Sequence, residues 1–286
     1  MLRRVAPAKV NLFLHILGRR ADGYHELQSL VVFTQFGDEL EFEPTDDGLI
    51  RANVFGPALA DVEIEHDSMA IAARKLRLLA AHPNPGVAYS LAKQIPIAAG
   101  LGGGSSDAAA ALHALNDLWE SNLNRARLEQ IGLEIGADVP VCLRARPTLV
   151  EGIGERLTEV SAFPETVFVV LAHTRKALST ADVFKELRRS DWSEVSVTPP
   201  AELNTTEALV DFLKTTQNDL EASATRLQPQ IGMLLDDIAH QPGCMLARMS
   251  GSGAACFGIF ASEIEAFAAA ERLQHRLWWS VATRLL

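Results

Sequence analysis

The stretch GLGGGSSDAAAALHALN, Gly100 to Asn116, limits what this chain can fold into more than any other. Residues 87–95 before it alternate apolar and polar with period two, which predicts a strand. After it, Ala108, Ala111, Leu112, Leu115 and Trp119 recur at helical spacing, which predicts a helix to about Trp119. The chain must pass from strand to helix through a segment almost bare of side chains. One or two glycines suffice for a turn, and four with two serines exceed that need. A helix start offers free N–H groups and roughly half a unit of positive charge. Glycines before it let a ligand approach the backbone, so the stretch predicts a phosphate cradle. Ser105 or Ser106 is expected to cap the helix. The GxxxxGK[ST] pattern is absent, and Ser105 stands where a dinucleotide fingerprint needs its third glycine. Asp107 is expected to face solvent or to cap, with contact to a metal ion as the alternative.

The rest of the chain mixes helices and strands without a strict βαβ repeat, which predicts an α+β fold. Strands are expected over 4–17, 27–34, 38–43, 87–95 and near 147–150 and 166–172, with a turn near Gly37. Helices are expected over 68–82, where Pro83 to Gly86 should stop the first, and over 124–136. Further helices are expected over 179–190, 207–216, 227–241 and 262–277. Residues 244–260 read as strand, glycine turn and strand, and 278–286 as a last strand. Their turn, MSGSGAACFG, is a second Gly/Ser segment, and the pairing predicts that the two loops meet. The segment SVTPPAEL, 196–203, reads as a surface loop. With 286 residues, 48% of them apolar, the chain can bury one large or two medium cores.

The formal net charge is −10 and no cluster of Lys and Arg stands out, which argues against nucleic acid or an anionic membrane as partner. The opening residues place Arg3 and Arg4 before an apolar run, as a leader would, but Lys9, Asn11 and His15 interrupt it. No stretch approaches the ~20 apolar residues of a membrane span. Cys142, Cys244 and Cys256 form no CxxC pair and are expected to be buried thiols in a reducing compartment. These features predict a cytoplasmic protein.

Some polar residues sit where apolar ones are expected. Lys9 interrupts an apolar strand, and from spacing alone it either points to solvent or faces the cradle. Asp138, between a helix and an apolar run, is either a helix-end residue or a functional carboxylate. If both face the cradle their chemistry is coherent. A carboxylate can accept the proton of an attacking hydroxyl. An ammonium keeps that carboxylate ionised and stabilises developing charge. Tyr24 and His25 could fill a hairpin, or stack on and hydrogen-bond a nucleobase.

Four segments together resemble the GHMP kinase superfamily: APAKVNLFLHILGRRADGYHELQSL, PIAAGLGGGSSDAAAALHALN, IGLEIGADVPVCL and MSGSGAACFGIF. The likeness runs from Ala6 to about Phe260. DGYHEL and the GLGGGSS form of the loop resemble the branch that acts on a small molecule carrying a cytidine diphosphate group, in non-mevalonate isoprenoid synthesis. The resemblance implies an ATP-binding lobe of ribosomal-protein-S5-like type over 1–155 and a ferredoxin-like lobe over 156–277, the strand near 278–286 returning to the first. It implies ATP-dependent phosphorylation of a 2-hydroxyl, with Asp138 as base and Lys9 as its partner. Pro96, Ile97, Ala98, Ala99, Gly100, Leu101, Gly102, Gly103, Gly104, Ser105 and Ser106 would wrap the ATP phosphates, with Lys93 near the nucleotide. Asn11 would position substrate, and Tyr24 and His25 would hold the cytosine, with Phe184 closing its other face. Mg2+ is expected with the phosphates, and the enzyme is expected as a monomer or homodimer. The alternatives are a homoserine- or mevalonate-type kinase of the superfamily, or a nucleotide-binding regulator without catalysis.

Overall fold

The computed structural model describes residues 1–59, 68–81 and 84–286. Backbone contacts divide the chain into two units, neither of them one stretch. The first holds Met1–Lys9, Gly37–Ile97 and Gly102–Ala145; the second holds Val10–Phe36, Ala98–Leu101 and Arg146–Leu286. Two long strands, β1 (Leu2–Arg19) and β2 (His25–Thr45), each contribute to both units. The two are paired, and the fold is α+β as expected, with two sheets among the described residues.

In the first unit, β2 continues without a break through Gly37, where a turn was expected. Gly37 serves close approach instead. A Cβ there would overlap the Ala6 carbonyl of β1. The Glu39–Thr45 end of β2 pairs antiparallel with β4 (Gly86–Ala92), and β3 (Ile50–Phe55), which the sequence pattern did not reveal, pairs parallel with β4. Helices α1 (Ser68–Arg77), α2 (Gly103–Leu118), α3 (Arg125–Leu133) and α4 (Val139–Arg144) pack together in this unit. α1 ends at Arg77, short of the expected 82; His82 and the Pro83 expected to stop it lie outside the described residues. α2 buries more than one stripe, since Ala108 to Leu112 are all buried, along with Ala114 and Leu115. Alanines on several faces let α1, α3 and α4 approach it closely. Trp119 closes the helix, its indole N–H donating to the Gly86 carbonyl at 3.2 Å.

In the second unit, Leu27–Val31 of β2 pairs antiparallel with β5 (Thr148–Gly152), which pairs with the short, unexpected β6 (Arg156–Glu159). The chain continues as β7 (Phe168–His173), α5 (Thr180–Glu186), α6 (Thr206–Lys214), α7 (Glu221–Leu227) and α8 (Gln230–Ala239). It ends as β8 (Cys244–Met249), β9 (Ala255–Phe260), α9 (Glu263–His275) and β10 (Trp279–Arg284). The antiparallel order is β10-β7-β9-β8. The final strand, expected to return to residues 1–155, pairs with β7 along Trp279↔His173 to Arg284↔Phe168, and its end also reaches β2, where Leu285 bridges Thr34 and the Leu286 N–H donates to the Phe33 carbonyl at 2.8 Å. Ile16, Val170, Ile231, Leu234, Ile238, Cys256, Phe260 and Leu273 form part of this unit's core. Cys142 and Cys256 are buried as expected, whereas Cys244 is only partly so.

Candidate active site

Gly102 is the N-cap of α2, with φ 63° and ψ 20°, and no side chain caps the helix. Ser105 and Ser106, expected as caps, lie inside the first turn. The Ser106 N–H donates to the Gly102 carbonyl at 2.9 Å, and its hydroxyl lies 3.5 Å from the Cys142 Sγ. The amides of Gly103, Gly104 and Ser105 therefore have no intrahelical acceptor, and no side chain caps them. Along the loop from Pro96, Ala98, Gly100 and Gly102 have positive φ, while Ala99 and Leu101 between them do not. Gly102 has a second reason to be glycine: a Cβ would stand 2.9–3.3 Å from the side-chain carbons of Lys9.

Lys9 is buried beside this helix mouth. Its Nζ lies 2.9 Å from Asp138 Oδ2, with the lysine side chain 7% exposed and the aspartate 50%. Asp138 is the N-cap of α4 but makes no capping bond, so its carboxylate turns to Lys9 and not to its own helix. An ammonium–carboxylate pair thus stands next to open main-chain donors. That set can hold a phosphate, keep a base ionised and meet charge that develops between them.

Lys93, expected near the nucleotide, is buried between two carboxylates, 2.5 Å from Asp38 Oδ2 and 2.8 Å from Asp107 Oδ2. Asp107 therefore neither faces solvent nor caps α2.

Within the second unit, the Asn11 amide donates to Ser29 Oγ at 2.8 Å, and its backbone N–H donates to Ser250 Oγ at 3.1 Å. The two Gly/Ser loops meet as expected. Ser250 Oγ donates to the Gly100 carbonyl at 3.1 Å, and the Ala255 N–H donates to the Ala99 carbonyl at 2.8 Å. His25 stacks on Phe184, ring centroids 5.3 Å apart at 28°, and Trp192 meets His25 edge-on at 5.5 Å. Phe184 is carried on α5, whose N-cap Ser179 accepts from the Asp182 N–H. His25 and Phe184 touch, so no base-sized gap separates those two rings. Tyr24 is 63% exposed. Burial, then the Arg19 charge, lowers the His25 pKa.

The profile of the GHMP kinases N terminal domain matches residues 68–146, and that of the GHMP kinases C terminal matches residues 203–277. The 4-diphosphocytidyl-2-C-methyl-D-erythritol kinase of Cereibacter sphaeroides is 42% identical over 288 residues and 100% of both chains. The chain belongs to the 4-diphosphocytidyl-2-C-methyl-D-erythritol kinase family of GHMP kinases. Its relative of the same name from Rhodospirillum rubrum is 44% identical over 98% of this chain and 91% of its own. A crystal structure of a 4-(cytidine 5'-diphospho)-2C-methyl-D-erythritol kinase matches with a TM-score of 0.79 at 34% identity, covering 99% of each chain. A mevalonate kinase structure shares the fold, with a TM-score of 0.68 at 14% identity.

In this GHMP kinase several residues that contact the candidate ones carry no sequence signal. Asp38 lies mid-strand among alternating residues, and nothing local marks it as Lys93's partner. Its other oxygen accepts the N–H groups of Gln94 and Ile95 at 2.6 and 2.8 Å. Burial pushes the Asp107 carboxyl up to about 7; Asp38 adds to the rise and Lys93 opposes it. Lys93 is raised although burial alone would lower it, because both carboxylates face it. Burial sends the Cys142 thiol up to about 12, which leaves it without nucleophilic character at neutral pH. Trp192 likewise carries no signal, and for Ser250 only the Gly/Ser turn gave one.

Proposed function

We propose that this kinase transfers the terminal phosphoryl group of ATP to the 2-hydroxyl of 4-diphosphocytidyl-2-C-methyl-D-erythritol, giving the 2-phosphate and ADP. The observation that carries the reading is the Lys9–Asp138 pair at 2.9 Å beside the uncapped mouth of α2. The ATP phosphates rest on the amides of residues 102–106, approached through the 96–101 loop. Asp138 takes the proton of the attacking hydroxyl. Lys9 holds Asp138 ionised and meets the charge that builds on the transferring group. Phosphoryl transfer asks for positioning and charge compensation more than covalent help, which is what these groups can supply. Asn11, held by Ser29, orients substrate, and Tyr24, His25 and Phe184 receive the cytosine.

Mg2+ usually takes one or two protein oxygens together with phosphate oxygens and water. Among the described residues no cluster of three His, Cys, Asp or Glu could hold a metal unaided. The donors at the mouth of α2 fit an ion that arrives with its nucleotide: the half-exposed Asp138 carboxylate, and the Ser105 hydroxyl, which has no protein partner among the described residues. Bound there, Mg2+ would neutralise phosphate charge. Among the described residues no helix is long and apolar enough to cross a membrane. Unpaired cysteines fit a reducing compartment, and we place the enzyme in the cytoplasm.

The test mixes purified chain, ATP and Mg2+ with the cytidylylated acceptor, homoserine or mevalonate, and follows ADP. Release with the first alone supports the proposal. Release with homoserine or mevalonate instead, or with no acceptor, removes it.

A further inference from the structure

Trp192 meets the ring of His25 edge-on, and His25 is the ring that stacks with Phe184. It belongs to the segment that follows α5, and charged groups tie down the residue on either side of it. Asp191, just before it, accepts from the Arg226 guanidinium at 2.7 Å and from the Arg188 N–H at 3.0 Å. Arg226 also grips Glu186 at the end of α5, by its carboxylate at 2.7 Å and its carbonyl at 3.0 Å. Ser193, just after it, gives its N–H and its hydroxyl to the two oxygens of Asp219, at 2.7 and 2.8 Å. Asp219 is buried and accepts the Ile16 N–H of β1 at 2.6 Å as well. All of these residues lie in the second unit.

The ring so held lacks a partner for its one polar atom. An indole N–H can only donate, and when buried it usually finds an acceptor. Trp119 and Trp278 follow that rule, donating to the Gly86 carbonyl at 3.2 Å and to Asp237 Oδ2 at 2.8 Å. The Trp192 Nε1 is buried with no acceptor among the described residues. Packing accounts for the body of the ring, which rests against the core of the second unit. It does not account for a donor fixed in place with nothing to receive its hydrogen. A phenylalanine would pack there without that cost.

We propose that Trp192 is a specificity residue of the acceptor site, its indole N–H donating to the acceptor edge of a pyrimidine that takes the Phe184 face of His25. The proposal deepens the function argued above and rests on the placing of the cytosine given there. Cytosine carries a carbonyl oxygen and a bare ring nitrogen side by side on one edge, and either can receive the hydrogen. Phe184 covers that face of His25 in the free chain, and it can leave by rotating about its own side-chain bonds. The backbone of Trp192 is tied on both sides and stays. A donor fixed before the ligand arrives costs little ordering when it binds. It also selects, because a base with no acceptor at that place leaves the N–H as unpaired as before.

The N–H itself can be followed. The chain is labelled with 15N at its indole nitrogens and titrated with cytidine diphosphate while ADP and Mg2+ are saturating, and equilibrium dialysis scores cytidine diphosphate binding in parallel. The Trp192 peak is the one missing from Trp192→Phe. If that variant fails to fold, Arg189→Ala assigns the peak by shifting it, since the Arg189 guanidinium lies 4.8 Å from the ring centroid. The Trp192 indole proton is expected to move downfield as it gains an acceptor. A peak that stays in place while cytidine diphosphate binds overturns the proposal and leaves the cytosine site standing. No binding of cytidine diphosphate removes that site, and the proposal with it. In steady-state kinetics Trp192→Phe should raise the KM for the cytidylylated acceptor by about threefold to tenfold, the weight of one neutral hydrogen bond, with no such rise in the KM for ATP. A ring that served packing alone would show no such split, and an unchanged acceptor KM overturns the proposal.

Discussion

Lys9 and Asp138 are each ambiguous in isolation and informative as a pair. A lysine in an apolar strand usually turns to water, and an aspartate before a short helix usually caps it. Here neither does so, and each accounts for the other. If Asp138 is the base, Asp138→Asn should lower turnover by ~100-fold or more, the usual weight of a general base. ADP binding, read by calorimetry without Mg2+, should persist, since the main-chain donors of α2 and Lys9 are intact in that variant. A variant with near-normal turnover would take Asp138 out of the chemistry. Gly102 is the other residue on which the geometry turns. Gly102→Ala must adopt φ near 63° and also press on the carbons of Lys9. It should cost activity at least tenfold by displacing that lysine, while circular dichroism stays that of the folded chain. At this scale the wrong expectations share one cause. Ser105, Ser106 and Asp107 were read as caps because capping residue types sat near a helix start, but the chain enters the helix earlier, at Gly103. A one-turn error in that start moved all three from the cap into the first turns.

Elements built on strong periodicity were readable, and those built on contact were not. α2, α9 and the β8–β9 pair follow from their spacing. β2 does not, because Gly37 mid-run carries the usual mark of a turn. Its purpose lies on another strand, where the Ala6 carbonyl leaves no room for a side chain. Gly37→Ala should therefore destabilise the folded state by ~2 kcal/mol or more, within the range of overpacking a tight site, and chemical denaturation would read it. A midpoint equal to that of the wild type would mean β1 and β2 have room to spare there. β3, β6 and α7 escaped notice because they are short and partly exposed, so their patterns carry little hydrophobic signal. α4 escaped for the opposite reason: it is buried on every side and reads as an apolar run.

For the molecule as a whole, buried titratable groups make stability depend on pH in two directions. Burial, with Arg175 adding to it, lowers His173 from 6.5 to about 4. Below pH 6.5 the unfolded chain binds a proton that the folded chain refuses, so this contribution is lost as pH falls toward 4. Asp107 acts oppositely. Raised to about 7, it holds a proton the unfolded chain would release above 3.8, so its contribution is lost as pH rises through that interval. His173→Asn, which can still accept the Arg175 N–H, separates the two. Between pH 6.5 and 5, wild type should lose about 1.5 kcal/mol more than His173→Asn in urea unfolding. Parallel pH profiles would place the histidine's proton elsewhere.

Composition, spacing and motif order were enough to state an α+β kinase of the GHMP type and a bare loop before an alanine-rich helix, and to single out Lys9 and Asp138, which lie 2.9 Å apart. Those features are local, or are carried by runs of residues long enough to be recognised as they stand. Which acid answers which base is another matter. Lys93 bridges Asp38 and Asp107, 55 and 14 residues away in the chain, and nothing in its own segment announces either partner. Strand order, register and helix packing set which charges share one water-poor space. A pair that would be of little consequence in solvent becomes strong there, and no linear pattern records that proximity.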